Sequence, residues 1–81
     1  MSSQMTLFFY YEGKTLAIQC QESDKIDDVF NRYCGKAGLG VNDVRFYFNS
    51  KEVNRCGKTL FALGVSNRGV FNVVSKYVIG A

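Results

Sequence analysis

The order of patterns along the chain predicts an α+β fold, in which one main α-helix packs across a mixed four- to five-stranded sheet. Two β-forming segments, 5–11 and 14–20, come first and are separated by a short turn. An apolar stripe with a helical period follows, and further β-forming segments come after it. Residues 5–75 are therefore expected to form one domain, with a disordered N-terminus at 1–4 and a C-terminal tail at 76–81.

The first two segments read as a hairpin. Gly13 supplies a turn residue that takes a positive φ angle without strain. Because side chains alternate along a strand, Met5, Leu7 and Phe9 are expected on one face of the first strand and Thr6, Phe8 and Tyr10 on the other. In the second strand, the same alternation separates Leu16, Ile18 and Cys20 from Thr15, Ala17 and Gln19.

The helix is expected from about Asp24 to Ala37. Its apolar residues recur on one face, at Ile26, Val29, Phe30, Tyr33, Cys34 and Ala37. Ser23 or Asp24 is expected to cap the start, and Asp27 and Asp28 suit the positive end of the helix dipole. Gly38 is a plausible stop signal.

Two strands, 44–48 and 51–53, follow the helix, and a last strand is expected at 69–74. Between the strands at 51–53 and 69–74, a turn or short helix is expected to place three apolar residues in the core: Leu60, Leu63 and Val65.

Composition limits the chemistry. The 81 residues are 47% hydrophobic and 15% aromatic, carry a formal charge of +3 and contain no histidine, which excludes histidine-based catalysis and His-ligated zinc. No stretch approaches the ~20 apolar residues of a membrane span. The three cysteines, none in CxxC spacing, are expected to be reduced thiols in a nuclear or cytoplasmic protein. Cys34 reads as a core residue, Cys56 as an exposed thiol. We expect no enzyme activity, no cofactor and no metal.

Several stretches then resemble the ubiquitin-like proteins, whose β-grasp fold has this order of elements. Four are similar to ubiquitin: 5–9, 13–16, 23–29 and 57–60. Others look more like the small ubiquitin-like modifier, SUMO: Tyr33-Cys34, Gly38, 44–48 and 63–65. The resemblance extends from residue 5 to about 80 and implies a non-enzymatic protein-interaction domain. Because the net charge of +3 is mild and no long apolar stretch is present, we expect neither a nucleic-acid partner nor a membrane, and we expect a monomer.

The same resemblance concerns the C-terminus. Conjugated modifiers end in Gly-Gly, and here the terminal glycine aligns with Gly80 but the penultimate one with Ile79. A β-branched side chain obstructs the narrow channels of activating enzymes, which favours an unconjugated domain. The alternative is a modifier that is linked to substrate lysines through Gly80 after removal of Ala81, and that meets the activating and conjugating enzymes of such a pathway.

The resemblance implies a first binding surface between strand 2 and the helix. Strand 2 is an edge in the family's sheet, so an extended peptide can add to it. SUMO-like domains bind hydrophobic-acidic peptides there. By position, the lining would be Leu16, Ala17, Ile18, Gln19, Cys20, Gln21, Asp28, Val29, Arg32 and Lys36. For Leu16, Ile18 and Val29 the alternative is a place in the core.

The outward face of the sheet is a second candidate. It would carry Phe8, Tyr10, Arg45, Tyr47, Asn72 and Val74. Tyr47 and Val74 take the positions of the aliphatic patch that ubiquitin uses to bind receptors, and Tyr and Arg are typical interface anchors. Single-stranded RNA binding by these aromatics is an alternative of another class, although the order of elements is not that of the RNA-recognition fold. The remaining alternatives are a face covered by the chain's own tail, by a neighbouring domain or by self-association.

Overall fold

A computed structural model describes residues 4–54 and 56–76. The elements are β1 (Gln4–Tyr11), β2 (Lys14–Gln21), α1 (Ile26–Ala37), a 3₁₀ turn (Val41–Asp43), β3 (Val44–Phe48), β4 (Lys51–Val53) and β5 (Val70–Ser75). They confirm the predicted α+β class, with one α-helix packed across a five-stranded mixed sheet.

The sheet has the strand order β2-β1-β5-β3-β4. β1 pairs antiparallel with β2 and parallel with β5, while β3 pairs antiparallel with both β4 and β5. This order leaves β2 and β4 as the two edges. The expected edge position of strand 2 is therefore confirmed.

Two tight turns close the hairpins. Glu12 and Gly13 have φ angles of 49° and 82°. Asn49 and Ser50, between β3 and β4, have φ angles of 54° and 66°. Two successive positive φ angles match the right-handed twist of a hairpin. The expected turn at Gly13 is confirmed.

The helix begins later than expected, and the predicted side-chain cap is wrong. The N-cap residue is Lys25, with no side-chain cap, and Ile26 N–H donates to the Lys58 carbonyl at 2.9 Å instead. Asp24 does not cap the helix, because its carboxylate accepts a hydrogen bond from Gln21 N–H at 2.9 Å instead. At the other end, Gly38 adopts the left-handed conformation, with φ of 73°, and ends the helix as expected.

Aromatic rings fill the space between the sheet and α1. Phe9 stacks on Tyr33 and Phe71 with ring centroids 4.5 and 5.0 Å apart, and Phe30 stacks on Phe46 at 3.7 Å. Each of these five side chains is at least 97% buried. The apolar helix stripe and the inner sheet face thus form one core, which Leu60 and Val65 complete and Leu63 contacts from its margin.

The ends of the domain differ slightly from expectation. Gln4 belongs to β1 and pairs with Gln21, although it was assigned to the N-terminal extension. β5 begins at Val70 and ends at Ser75, and Lys76 N–H donates to the Asp43 carbonyl at 2.9 Å. Residues 1–3 and 77–81, including the predicted conjugation residue Gly80, lie outside the described residues. Within 4–54 and 56–76, no helix has the length and apolarity that a bilayer span requires.

Candidate functional site

The outer edge of β2 carries backbone groups that are not used by β1. In an antiparallel pair, alternate residues bond to the partner strand. Tyr11 pairs with Lys14 beside the turn, so the backbone groups of Lys14 point toward β1. The carbonyls of Gln19 and Gln21 bond to groups outside the sheet, so the backbone groups of odd-numbered β2 residues point away from β1. The alternation therefore directs the N–H and C=O groups of Thr15 and Ala17 away from β1. Within residues 4–54 and 56–76, no further strand pairs with them.

The other half of the same edge is occupied. Arg32 Nη1 on α1 donates to the Gln19 carbonyl at 2.7 Å and lies 3.7 Å from Asp24 Oδ2. Both backbone groups of Gln21 are hydrogen-bonded to Asp24: the N–H donates to Asp24 Oδ2, and the carbonyl accepts from Asp24 N–H, each at 2.9 Å. As far as the structure describes the chain, only the hairpin half of the β2 edge is open to an added strand.

A cleft of about 340 Å³ adjoins this open half, which we call the hairpin cleft. It is lined by Tyr11, Glu12, Lys14, Leu16, Tyr33, Lys36 and Ala37. Leu16 is half-buried, and Tyr33, which is nearly fully buried and stacked on Phe9, also lines the cleft. The hairpin cleft thus combines an apolar surface with free backbone donors and acceptors.

The charges at the hairpin cleft favour an anionic ligand modestly. Lys14 and Lys36 are exposed on its strand and helix sides, and Glu12 contributes one opposing charge. Two ammonium groups against one carboxylate leave a local excess of positive charge. Lys14 was not among the groove residues predicted from the sequence, and its charge adds to that of Lys36.

Not every predicted groove residue reaches the surface. Ile18 and Val29 are 0% exposed, so their predicted ligand contact is replaced by a place in the core. Ala17 and Gln19 are exposed, but their side chains lie on the outer sheet face, where they are the strand partners of Phe8 and Thr6. Only their backbone therefore borders the groove. Leu16 and Lys36 line the hairpin cleft as expected. Asp28 is exposed on the helix, and Gln21 is half-buried at the occupied end.

Cys20 is not poised for chemistry. Burial, and secondarily the carboxylate of Asp24, raise the pKa of this thiol. Its side chain is only 4% exposed, so it remains a protonated core residue. Cys34 is buried as well, and Cys56 is exposed, as expected, with no disulfide among the three.

The outer sheet face has the composition that the sequence predicts. Tyr10, Asn72 and Tyr47 lie side by side on β1, β5 and β3, and Arg45 lies opposite Val74. Tyr10 is 46% and Val74 is 41% exposed, while Phe8 and Tyr47 are half-buried. Val70, 50% exposed and opposite Phe8, extends this apolar surface. The alternation of β5 already indicates its outward orientation.

Sequence reasoning missed Tyr11, Lys14, Tyr33 and Ala37 as cleft residues. Tyr33 and Ala37 were assigned to the apolar helix stripe, and the cleft lies where this stripe reaches the margin of the sheet. Tyr11 and Lys14 flank the turn, and their proximity to the end of α1 depends on the tertiary packing. One signal in the sequence links them to the groove: Tyr33 lies three residues before Lys36 on the helix, and Ala37 lies one residue after it.

Comparison with known proteins adds no assignment: no protein-family model matches the chain, and no curated protein matches it significantly.

Proposed function

We propose that this chain is a β-grasp domain of the ubiquitin-like class, nearest to the SUMO branch, and that it is a non-enzymatic module for protein recognition. The strand order, with a parallel pair of β1 and β5 at the centre and the helix after the first hairpin, supports the fold assignment. The resemblance of the sequence stretches supports the class.

The proposed activity is binding of an extended peptide segment at the hairpin half of β2. One observation carries it: open backbone groups of Thr15 and Ala17 lie beside an apolar cleft flanked by Lys14 and Lys36. Main-chain hydrogen bonds to a sheet edge supply affinity, and pockets for alternate side chains supply specificity. The ligand that fits has an apolar side chain for the cleft and a carboxylate near the two lysines.

An amide chemical-shift titration with acetyl-Asp-Val-Ile-Val-Asp-amide tests this activity. We expect shifts at Lys14 to Ala17 and at Lys36 and Ala37. A control peptide with proline in place of the central isoleucine keeps the charge, lacks the central N–H and cannot continue a strand, so its binding should be much weaker. Shifts confined to β1, β3 and β5 would refute the assignment.

A pair of protein variants separates site-specific from general electrostatic attraction. Lys36→Ala removes a charge at the hairpin cleft, and Lys51→Ala removes the same charge from β4, the opposite edge of the sheet. We expect Lys36→Ala to weaken the peptide and Lys51→Ala to leave its affinity nearly unchanged. Equal weakening would indicate attraction to the net charge of +3.

The outer sheet face supports a second candidate, binding of a folded protein partner. Its Tyr10 and Tyr47 side chains lie on either side of Asn72, and Arg45 and Val74 lie on the same face, so that it provides the aromatic and guanidinium groups that dominate many interfaces. The two surfaces are compatible, since one is an edge and the other is a face of the same sheet. Conjugation through Gly80 and RNA binding stay predictions.

A further inference from the structure

Arg32 divides the groove between β2 and α1 into two compartments. Its side chain crosses from the helix to the Gln19 carbonyl. The hairpin cleft lies on one side, and a second cleft, of about 270 Å³, contains Arg32 itself together with Gln4, Gln19, Cys20, Gln21 and Asp24. Lys36 lies one helical turn from Arg32, about 6 Å along the axis, and lines only the first cleft.

The hydrogen bonds at the second cleft would have to be broken before a ligand strand could extend along it. The three bonds are Arg32 Nη1 to Gln19 O, Gln21 N–H to Asp24 Oδ2, and Asp24 N–H to Gln21 O. The first has a charged donor and a length of 2.7 Å, which is typical of the stronger hydrogen bonds. No such bonds block Thr15 and Ala17 among the described residues.

We propose that Arg32 and Asp24, which we call the edge clamp, fix the length and register of the bound segment. This inference rests on the proposed peptide binding. The ligand pairs with Thr15 and Ala17, uses at most the N–H of Gln19, and leaves the edge before Gln21. The edge clamp therefore selects short extended segments, and a longer β-strand gains nothing from its additional residues.

Peptides of different length test the edge clamp. The core probe is acetyl-Asp-Val-Ile-Val-Asp-amide, and two longer probes carry two additional threonines at the N-terminal or the C-terminal end. Threonine favours extended structure and adds no charge. The dissociation constants are measured by calorimetry for the wild-type chain, Arg32→Ala and Lys36→Ala.

For the wild-type chain, we expect neither extension to tighten binding more than about twofold. For Arg32→Ala, we expect the extension that points toward Gln21 to tighten binding about 3- to 10-fold, because the Gln19 carbonyl can then accept a hydrogen bond from the ligand. The new contact should appear as amide shifts at Gln19 and Cys20. Lys36→Ala removes the same charge from the same helix, and it should weaken all three peptides without changing their ratios.

Asp24→Asn provides an independent test, since it weakens the hold on Arg32 and on Gln21 N–H with little change in shape. Both clamp variants are first checked for native amide dispersion. Equal length dependence in the wild type and both clamp variants would overturn the edge clamp and leave peptide binding in place. Tightening of more than about twofold in the wild type by the extension that points toward Gln21 would also overturn it. Absence of binding by the core probe to every protein would overturn the proposed function, and the clamp with it.

Discussion

The two faces of the sheet carry similar side chains in different surroundings. On β1, Phe9 points inward and is 0% exposed, whereas its neighbours Phe8 and Tyr10 point outward and retain solvent contact. The inward ring contacts aromatic partners from α1, β3 and β5. The outward side chains of Phe8 and Tyr10 lie opposite Val70 and Asn72 of β5. Residue type alone therefore does not distinguish a core aromatic from a surface aromatic, but strand parity does.

The largest expected effect separates Phe9 from Phe8. Phe9→Ala should lower the free energy of unfolding by about 3–5 kcal/mol, because it opens a cavity among stacked rings. Phe8→Ala should lower it by about 1 kcal/mol or less, since Phe8 is half-buried. Urea unfolding followed by circular dichroism measures both. If Phe9→Ala does not fold, Phe9→Leu should still lose more stability than Phe8→Leu, and equal losses would contradict the assignment of faces.

A smaller effect concerns recognition. Tyr47→Ala should weaken a protein partner bound at the outer face by about 1–3 kcal/mol, the range expected of an aromatic anchor. Its effect on stability should be modest, because Tyr47 is half-buried on that face. Calorimetric titration measures the loss, and Lys51→Ala on β4 is the control. Unchanged affinity would exclude Tyr47 as an anchor.

Two adjacent valines on β5 provide a matched pair. Val73 is 5% exposed and Val74 is 41% exposed. Val73→Thr places a hydroxyl in the core and should cost about 1–3 kcal/mol of stability. Val74→Thr keeps the β-branched shape in solvent and should change stability by no more than about 0.5 kcal/mol. Thermal unfolding compares the two, and the reverse order would mean that the parity of β5 is inverted.

The smallest expected effect is a difference between two cysteines in their rates of alkylation in the unmodified protein. Under native conditions at pH 8, iodoacetamide should label Cys56 before Cys20, since Cys56 is exposed and burial raises the pKa of Cys20. Thiolate fraction and access both control the rate. Mass spectrometry of timed digests identifies the labelled residue. Faster labelling of Cys20 would show that the inner face opens at the β2 edge.

Local patterns were sufficient for most of the fold. The stripe from Ile26 to Ala37 predicted the helix, because a period of 3.6 residues places those side chains on one face. Gly38 predicted its end, and the alternation of β2 predicted which residues are buried. These features depend on residues that are close in sequence.

The remaining features depend on contacts between distant residues. Asp24 was predicted to cap α1, but it bonds to Gln21 instead, and the helix start bonds to Lys58 from a remote loop. Arg32 was predicted to be a groove cation available to a ligand. Its contact with the Gln19 carbonyl requires the exact separation of α1 from β2, which periodicity does not encode. The residues of the outer face were easier to predict from the sequence, because strand parity alone places Tyr10, Tyr47 and Val74 on the outward side.

The central parallel pair has a consequence for the order of folding. Phe8 pairs with Val70, more than sixty positions later in the chain. Bringing such distant segments together carries a loop-closure entropy, which slows folding relative to proteins with mainly local contacts. During synthesis, the first hairpin and the helix emerge early, but the middle of the sheet stays open until the ribosome has released β5. Until then the inner rings are exposed to chaperones and to other nascent chains.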